Sequence, residues 1–223
     1  MNHSTDAQPS PSSPQQIPCA DQPETSAREV STQRQHYGVR DAACQAAAQG
    51  GGENYFSAFA LLLHASPFQI AILSALPQLV GVVAQLASVK LLQYLRLPSR
   101  LLIAGGRAQA FCWLPILSLP LIAPEHGSWL LIGFAMLYFG FGHVTAPVWN
   151  SLLVDVAEAD RRGAYFARRA RTTALTSFLA LGLAGAILTL GQRWDMSWIG
   201  FLIIFLGAAA ARFNVYFASL LAD

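Results

Sequence analysis

The chain is predicted to be an all-α membrane protein with six transmembrane helices. Three observations predict this. Charged residues make up 12% of the 223 positions, about half the share in an average soluble domain, while hydrophobic residues make up 54%. Apolar runs of about 20 residues, the length needed to cross a bilayer core about 30 Å thick, recur along the chain. The cations collect in alternate separators between those runs, as orientation in a membrane requires.

The first element is a tail, residues 1–38, rich in Ser, Pro and Gln and nearly without large aliphatic side chains. Such a segment cannot bury enough surface to offset its ordering entropy, so a disordered cytoplasmic tail is expected. It contains no apolar h-region, and a cleavable signal peptide is therefore not expected. The six-helix domain follows over 39–217. Its first span, about 42–64, reads "AACQAAAQGGGENYFSAFALLLH" and is the weakest, because its first half is small and polar and Glu53 lies near its middle. The other five spans, about 68–90, 100–123, 128–150, 172–191 and 196–217, need no special argument. Their separators are short, "APEHGS" after the third span and "GQRWDMS" after the fifth, and residues 218–223 form a C-terminal end.

Charge decides the doubtful first span. Lys and Arg near span ends stay on the cytoplasmic side. With six spans and an inside N-terminus, 13 of the 14 cations are cytoplasmic and Arg193 alone is not. The cytoplasmic set then includes Lys90, Arg96, Arg100 and Arg107, the cluster from Arg161 to Arg171, and Arg212. With five spans the split worsens to 10 against 4. Both termini are thus expected in the cytosol. The stretch "DVAEADRRGAYFARRAR" becomes the connection between spans four and five, with Asp155, Glu158 and Asp160 preceding five arginines. Its cations serve as an orientation signal, or they pair with those acids and clamp helix ends together.

The net charge of +2 implies no broad basic surface, so nucleic acid is not an expected partner. The lipid bilayer is. Cys19, Cys44 and Cys112 are widely spaced, form no CxxC pair and read as unpaired thiols.

Two stretches carry a family resemblance. "PVWNSLLVDVAEADRRGAYFARRAR" is similar to the connection between spans four and five in bacterial members of the major facilitator superfamily of transporters. There an Asp near the end of span four precedes an Arg-Gly and an aromatic-rich start to span five. "SPFQIAILSALPQLVGVVAQL" resembles the second span of that family in its small-residue, Gly and Pro content. Over about 39–217 the chain therefore resembles the N-terminal half of such a transporter. The family's loop after span two commonly carries an Asp-Arg pair; here it reads "KLLQYLRLPSR", with basic residues but no acid.

The resemblance implies a bacterial inner-membrane protein that moves a small solute by alternating access. The solute site would lie near the midplane between two six-helix halves. Six spans supply one half. Two expectations follow: a truncated, non-transporting fragment or scaffold, or a unit that pairs with a second half or with its own copy. In the connecting loop, Asp155, Arg161, Arg162, Gly163, Arg168 and Arg169 are the gating candidates.

Ionisable groups at mid-membrane mark functional sites by default. Glu53 is the deepest acid, able to bind a proton or a cationic group, or to serve as a hydrogen-bonded structural acid. Asn54 lies about 100° around the helix and cannot face the same narrow cavity. Gln78 and Gln85, seven residues apart, share one stripe and either line a polar cavity or bond neighbouring helices. His143 is a proton-coupling candidate, since imidazole is the side chain that exchanges a proton near neutral pH, or a helix-bonding histidine, and Tyr138 offers a hydroxyl nearby. Pro77 is expected to kink span two. Gly182 and Gly185 read as close-packing positions. Trp129, Trp194 and Trp198 read as an aromatic belt.

Enzymatic function is not expected. No Gly-x-Ser-Gly nucleophile, HExxH, P-loop or GxGxxG precedes a helix, and no histidine follows His143. No cofactor and no metal site are implied.

Overall fold

Inside hydrocarbon no water satisfies the backbone, so a spanning segment must be a helix or part of a closed barrel. The computed structural model of the chain describes residues 22–94, 98–122, 125–156 and 162–220, with side-chain surroundings over 35–90, 101–122, 125–151 and 162–213. Its regular elements are all helical: α1 (Gln22–Gly51), a 3-10 turn (Glu53–Tyr55), α2 (Phe56–Leu62), α3 (Pro67–Tyr94), α4 (Pro98–Ile122), α5 (Gly127–Val156), α6 (Arg162–Arg193) and α7 (Ser197–Leu220). Four helices, α3 to α6, are long and apolar enough to cross a membrane, which makes this a multi-pass membrane protein by length and composition. In α7 the described apolar stretch, Ser197–Phe213, is shorter.

The first predicted span differs most from expectation. It is not one helix over 42–64 but two pieces joined by the Glu53–Tyr55 turn. Its N-terminal piece also reaches back to Gln22, into the segment expected to be disordered; residues 1–21 lie outside the described part. Extending a helix adds one hydrogen bond per residue fixed, without a new nucleus. The Glu, Arg, Gln and Ala residues that precede Gly38 favour that extension. For the same reason α6 starts at Arg162, ten residues before the apolar run expected at 172, because Tyr165 gives its basic end a buried contact.

One end of the bundle carries matched turns. At the end of α2, His64 adopts φ 57°, and Ala65 N–H donates to the Ala60 carbonyl at 2.9 Å while His64 N–H donates to that of Leu61. At the end of α6, Asp195 adopts φ 55°, and Met196 N–H donates to the Gly191 carbonyl at 2.7 Å while Asp195 N–H donates to that of Gln192. Both are Schellman closures, with a non-glycine residue in the left-handed position. The next helix starts cleanly: Ser66 and Gln69 exchange side-chain-to-backbone bonds as a capping box, and Pro67 takes the first helical position. Ser128 on α5 donates to the Leu63 carbonyl, tying a second hairpin to the first.

The core between the helices is aromatic. Phe56, Trp113, Tyr138 and Phe205 meet with ring centroids 5.1–6.0 Å apart, mostly edge to face. Phe59 and Phe201 continue the cluster toward the turn end. Lipid tails are as apolar as these side chains, so burial alone does not hold the helices together; close packing and the preferred ring geometry do. The outer surface presents Leu79, Val82, Val83 and Leu86 from α3 and Phe178, Leu179 and Leu183 from α6. That band suits lipid contact.

Helix neighbours follow a regular scheme. Helix α1 packs on α6 and α7, α5 packs on α3 and α4, and α4 packs on α7. Exchanging α1 with α5, α3 with α6, and α4 with α7 reproduces those contacts. The α6–α7 packing and the α2–α3 packing are departures from the scheme.

Close approach depends on glycines at the end of α1 and in the turn after it rather than on those expected in α6. A β-carbon at Gly50 would collide with the backbone carbonyl of Ser177 on α6, and one at Gly52 would lie 2.6 Å from the Ala208 β-carbon and 2.7 Å from the Trp113 ring. Gly182, by contrast, faces open space, and Gly185 meets only the Tyr55 hydroxyl.

Two outcomes follow. Gly50→Ala should separate α1 from α6 and cost about 1–3 kcal/mol through overpacking, seen as a lower melting temperature in detergent. His64→Gly should stabilise the protein by about 1 kcal/mol by relieving its left-handed backbone, measured in the same melt.

Candidate functional site

The break in α1 sets the site. The turn at Glu53–Tyr55 places the Glu53 carboxylate toward the aromatic core, where Arg212 from α7 reaches it with Nη2 to Oε1 at 2.8 Å. The Tyr138 hydroxyl of α5 donates to the same oxygen at 2.6 Å, and Arg212 Nε donates to that hydroxyl at 3.0 Å. Both charged side chains are 11% exposed and Tyr138 is fully buried. The guanidinium carbon also lies 5.6 Å from the Tyr138 ring centroid, giving a cation–π contact. Gln109 on α4 extends the network, its Nε2 donating to the Tyr138 carbonyl at 3.1 Å. Gly142 makes room for it, since a β-carbon there would collide with the Gln109 amide.

This pair corrects the expectation for Arg212, which is not a cation at the membrane face. Its charge is compensated inside the bundle by an acid 159 residues earlier. Sequence reasoning also missed Gln109; the polar residue facing a glycine of the next helix was its only signal.

A cavity of about 390 Å³ opens beside the network, walled by α1 and by α3 to α7. Gln45, Gln49 and Glu53 line it from one stripe of the first segment, at spacings of four residues. Of the sequence candidates, Glu53, Gln78, Tyr138 and His143 line it. Gln85 reaches it through His143, whose Nδ1 is 3.3 Å from Gln85 Oε1. Gly81 permits that approach, because a β-carbon there would fall 2.5 Å from the imidazole. Asn54 is exposed and does not line the cavity.

The loop candidates divide. Arg161 lies outside the described residues, as do Glu158 and Asp160, and Asp155 lies in α5 beyond the described side chains. Arg162, Gly163 and Arg168 are exposed at the start of α6, and Gly163 has nothing near its α-carbon that a side chain would meet. Of the four whose surroundings are described, Arg169 alone lines the cavity.

At that end Asp41 is 4% exposed, and Gln45 Nε2 donates to its Oδ2 at 3.3 Å. Asp41 stands one residue before the predicted first span. Burial raises its carboxyl from 3.8 to about 7, against the lowering effect of Arg169 and Arg212. Among the described residues no three of His, Cys, Asp and Glu gather as a metal site would need.

Compared with protein-family models, with curated proteins and with solved structures, the chain matches none.

Truncating one member of a buried pair leaves the other charge uncompensated. Glu53→Ala should therefore destabilise the protein by about 3–5 kcal/mol, whereas replacing Glu53 and Arg212 together by methionine should recover most of that loss. Chemical denaturation in detergent checks both. Asp41 gives a pH dependence of defined sign. The unfolded chain releases its proton near 3.8 and the folded protein near 7, so stability falls as pH rises through that window and is level above it. Asp41→Asn removes this loss, so its melting temperature should exceed the parent's at pH 8 and match it at pH 4.

Proposed function

We propose that this chain is one six-span half of a secondary transporter, resembling the N-terminal half of the major facilitator superfamily, and that it moves a small solute by alternating access when a second six-span unit completes the path. The observation that carries the reading is the polar cavity beside a buried Glu53–Arg212 pair, inside a bundle whose outer surface is apolar. Charged groups within a membrane are costly and are kept where a solute or ion passes.

Three further features support it. The first span is interrupted, as are the discontinuous helices that line transporter sites. The exchange of α1, α3 and α4 with α5, α6 and α7 in the packing scheme pairs helices three spans apart, and an odd offset reverses direction across the membrane. That is the pattern of an inverted repeat of three plus three spans. Finally, the cation distribution favours six spans with both termini in the cytosol of a bacterial inner membrane, the hairpin turns at His64 and Asp195 then facing outward.

In this reading the second unit, continuous with the chain or separate, supplies the facing wall of the cavity. Glu53, Tyr138 and Arg212 hold the wall's polar geometry, and His143 and Gln78 offer exchangeable hydrogen bonds to a solute.

Reconstitution in proteoliposomes tests it. The chain together with a co-purified second unit should give solute uptake that Glu53→Gln reduces by at least about tenfold, the cost of about 1.4 kcal/mol in a buried charge-assisted bond. Absence of flux with a stable partner present would leave a non-transporting scaffold. Amino-terminal tag accessibility from outside the cell would overturn the orientation.

A further inference from the structure

Four buried side-chain atoms without a hydrogen-bond partner gather at one end of the cavity, on two residues that line it, Trp149 (Nε1) and Arg169 (Nε), and two beside them, Asp41 (Oδ1) and Tyr165 (Oη). The fifth such atom among the described residues, Trp113 Nε1, belongs to the aromatic core. Tyr165 packs against Trp149, and its hydroxyl lies within electrostatic range of both Asp41 and Arg169. Trp149 and Arg169 line the cavity, and so does Gln45, the residue bonded to Asp41. Buried polar atoms are normally satisfied, so four unsatisfied ones in a single place call for a guest.

Their chemistry restricts the guest. The Trp149 indole and the Arg169 guanidinium offer N–H groups, and Tyr165 offers O–H; together they suit an anionic oxygen acceptor. Asp41 Oδ1 instead requires a donor. A simple anion would meet the Asp41 carboxylate, and a simple cation would meet the Arg169 guanidinium. Glu53 and Arg212 already compensate each other, so the rest of the cavity adds no net demand for either sign.

We propose that Asp41, Trp149, Tyr165 and Arg169 form a subsite for an amino-carboxylate solute, with the solute's carboxylate on Trp149, Tyr165 and Arg169 and its ammonium on Asp41. The proposal rests on reading the cavity as a solute site and narrows the solute to a net-neutral one with separated charges. Binding there needs no second unit to supply the recognising charges.

Equilibrium binding, not flux, tests it. The purified full chain in lipid nanodiscs is titrated calorimetrically with glycine, β-alanine and 4-aminobutyrate, and with acetate and methylammonium as single-charge probes. At least one amino-carboxylate should bind saturably, about tenfold or more tighter than either single-charge probe, as loss of a charge-assisted bond predicts. D41N and R169Q should each weaken that binding by about tenfold or more. W149F, which removes the N–H together with the pyrrole half of the indole, should weaken it by a few fold in protein shown to be folded by its melting transition. Acetate or methylammonium binding as tightly as the amino-carboxylates would overturn the proposal. So would folded protein that binds none of the three, a cavity occupied by water alone, or binding unchanged in all three variants. Binding without flux would overturn the transport reading and leave the subsite, whereas flux of another solute without such binding would do the reverse.

Discussion

The bond between Arg212 and Glu53 is the constraint on which the rest of the structure depends. It joins the interrupted first segment to the last helix, and the Tyr138 hydroxyl that shares it brings in α5. Gln109 then fixes α4 to the Tyr138 backbone. The first segment, α5 and α7 meet at one carboxylate, and α4 joins them through Tyr138. In a lipid environment, where apolar surfaces have little reason to prefer one another over lipid, such a polar centre specifies which helices are neighbours and at what depth. The aromatic rings of Phe56 and Trp113 pack against Tyr138, and Phe205 packs on both of them, behind this polar centre.

The break after Gly51 serves that bond. An unbroken helix from Gln22 to Leu62 would continue the stripe of Gln45 and Gln49 in a straight line. The 3-10 turn tightens the path instead, and Gly52 allows it to run beside Ala208 and Trp113, where any side chain would be too large. Of the three consecutive glycines, Gly50 and Gly52 are therefore packing requirements, against α6 and beside the site, whereas a β-carbon at Gly51 would make only ordinary contacts. The same reasoning explains Gly81 and Gly142, which admit the His143 ring and the Gln109 amide. Room for a polar side chain is made, in each case, by the neighbouring helix giving up its own.

The sequence displayed the apolar helices well because length and hydropathy are local properties. The runs of α3, α4 and α5 lie within a few residues of the observed elements. Helix starts at charged segments were less legible: α6 begins among arginines, since its basic first turns are amphipathic and Tyr165 anchors them. Glu53, Tyr138 and His143 stood out as polar groups in apolar surroundings, and the structure brings them to one cavity. Arg212 did not stand out. Near the end of an apolar run a cation looks like an orientation signal, and only the long-range contact with Glu53 distinguishes the two roles. Asp41 was hidden for a similar reason, lying just outside a predicted span among other charges. Pairings across more than a hundred residues leave no periodic trace in a single sequence.

The closures at His64 and Asp195 have a mechanical consequence. Each closes one helix through backbone bonds immediately before the next begins, while the far ends of α3 and α6 extend 28 and 32 residues away along their helices. At 1.5 Å per residue these are arms of about 42 and 48 Å, so one degree of tilt at the fastened end displaces the free end by about 0.7–0.8 Å. Leverage of that kind turns a slight angular adjustment of α6 into a displacement of Arg169, near its free end, relative to Asp41 on α1.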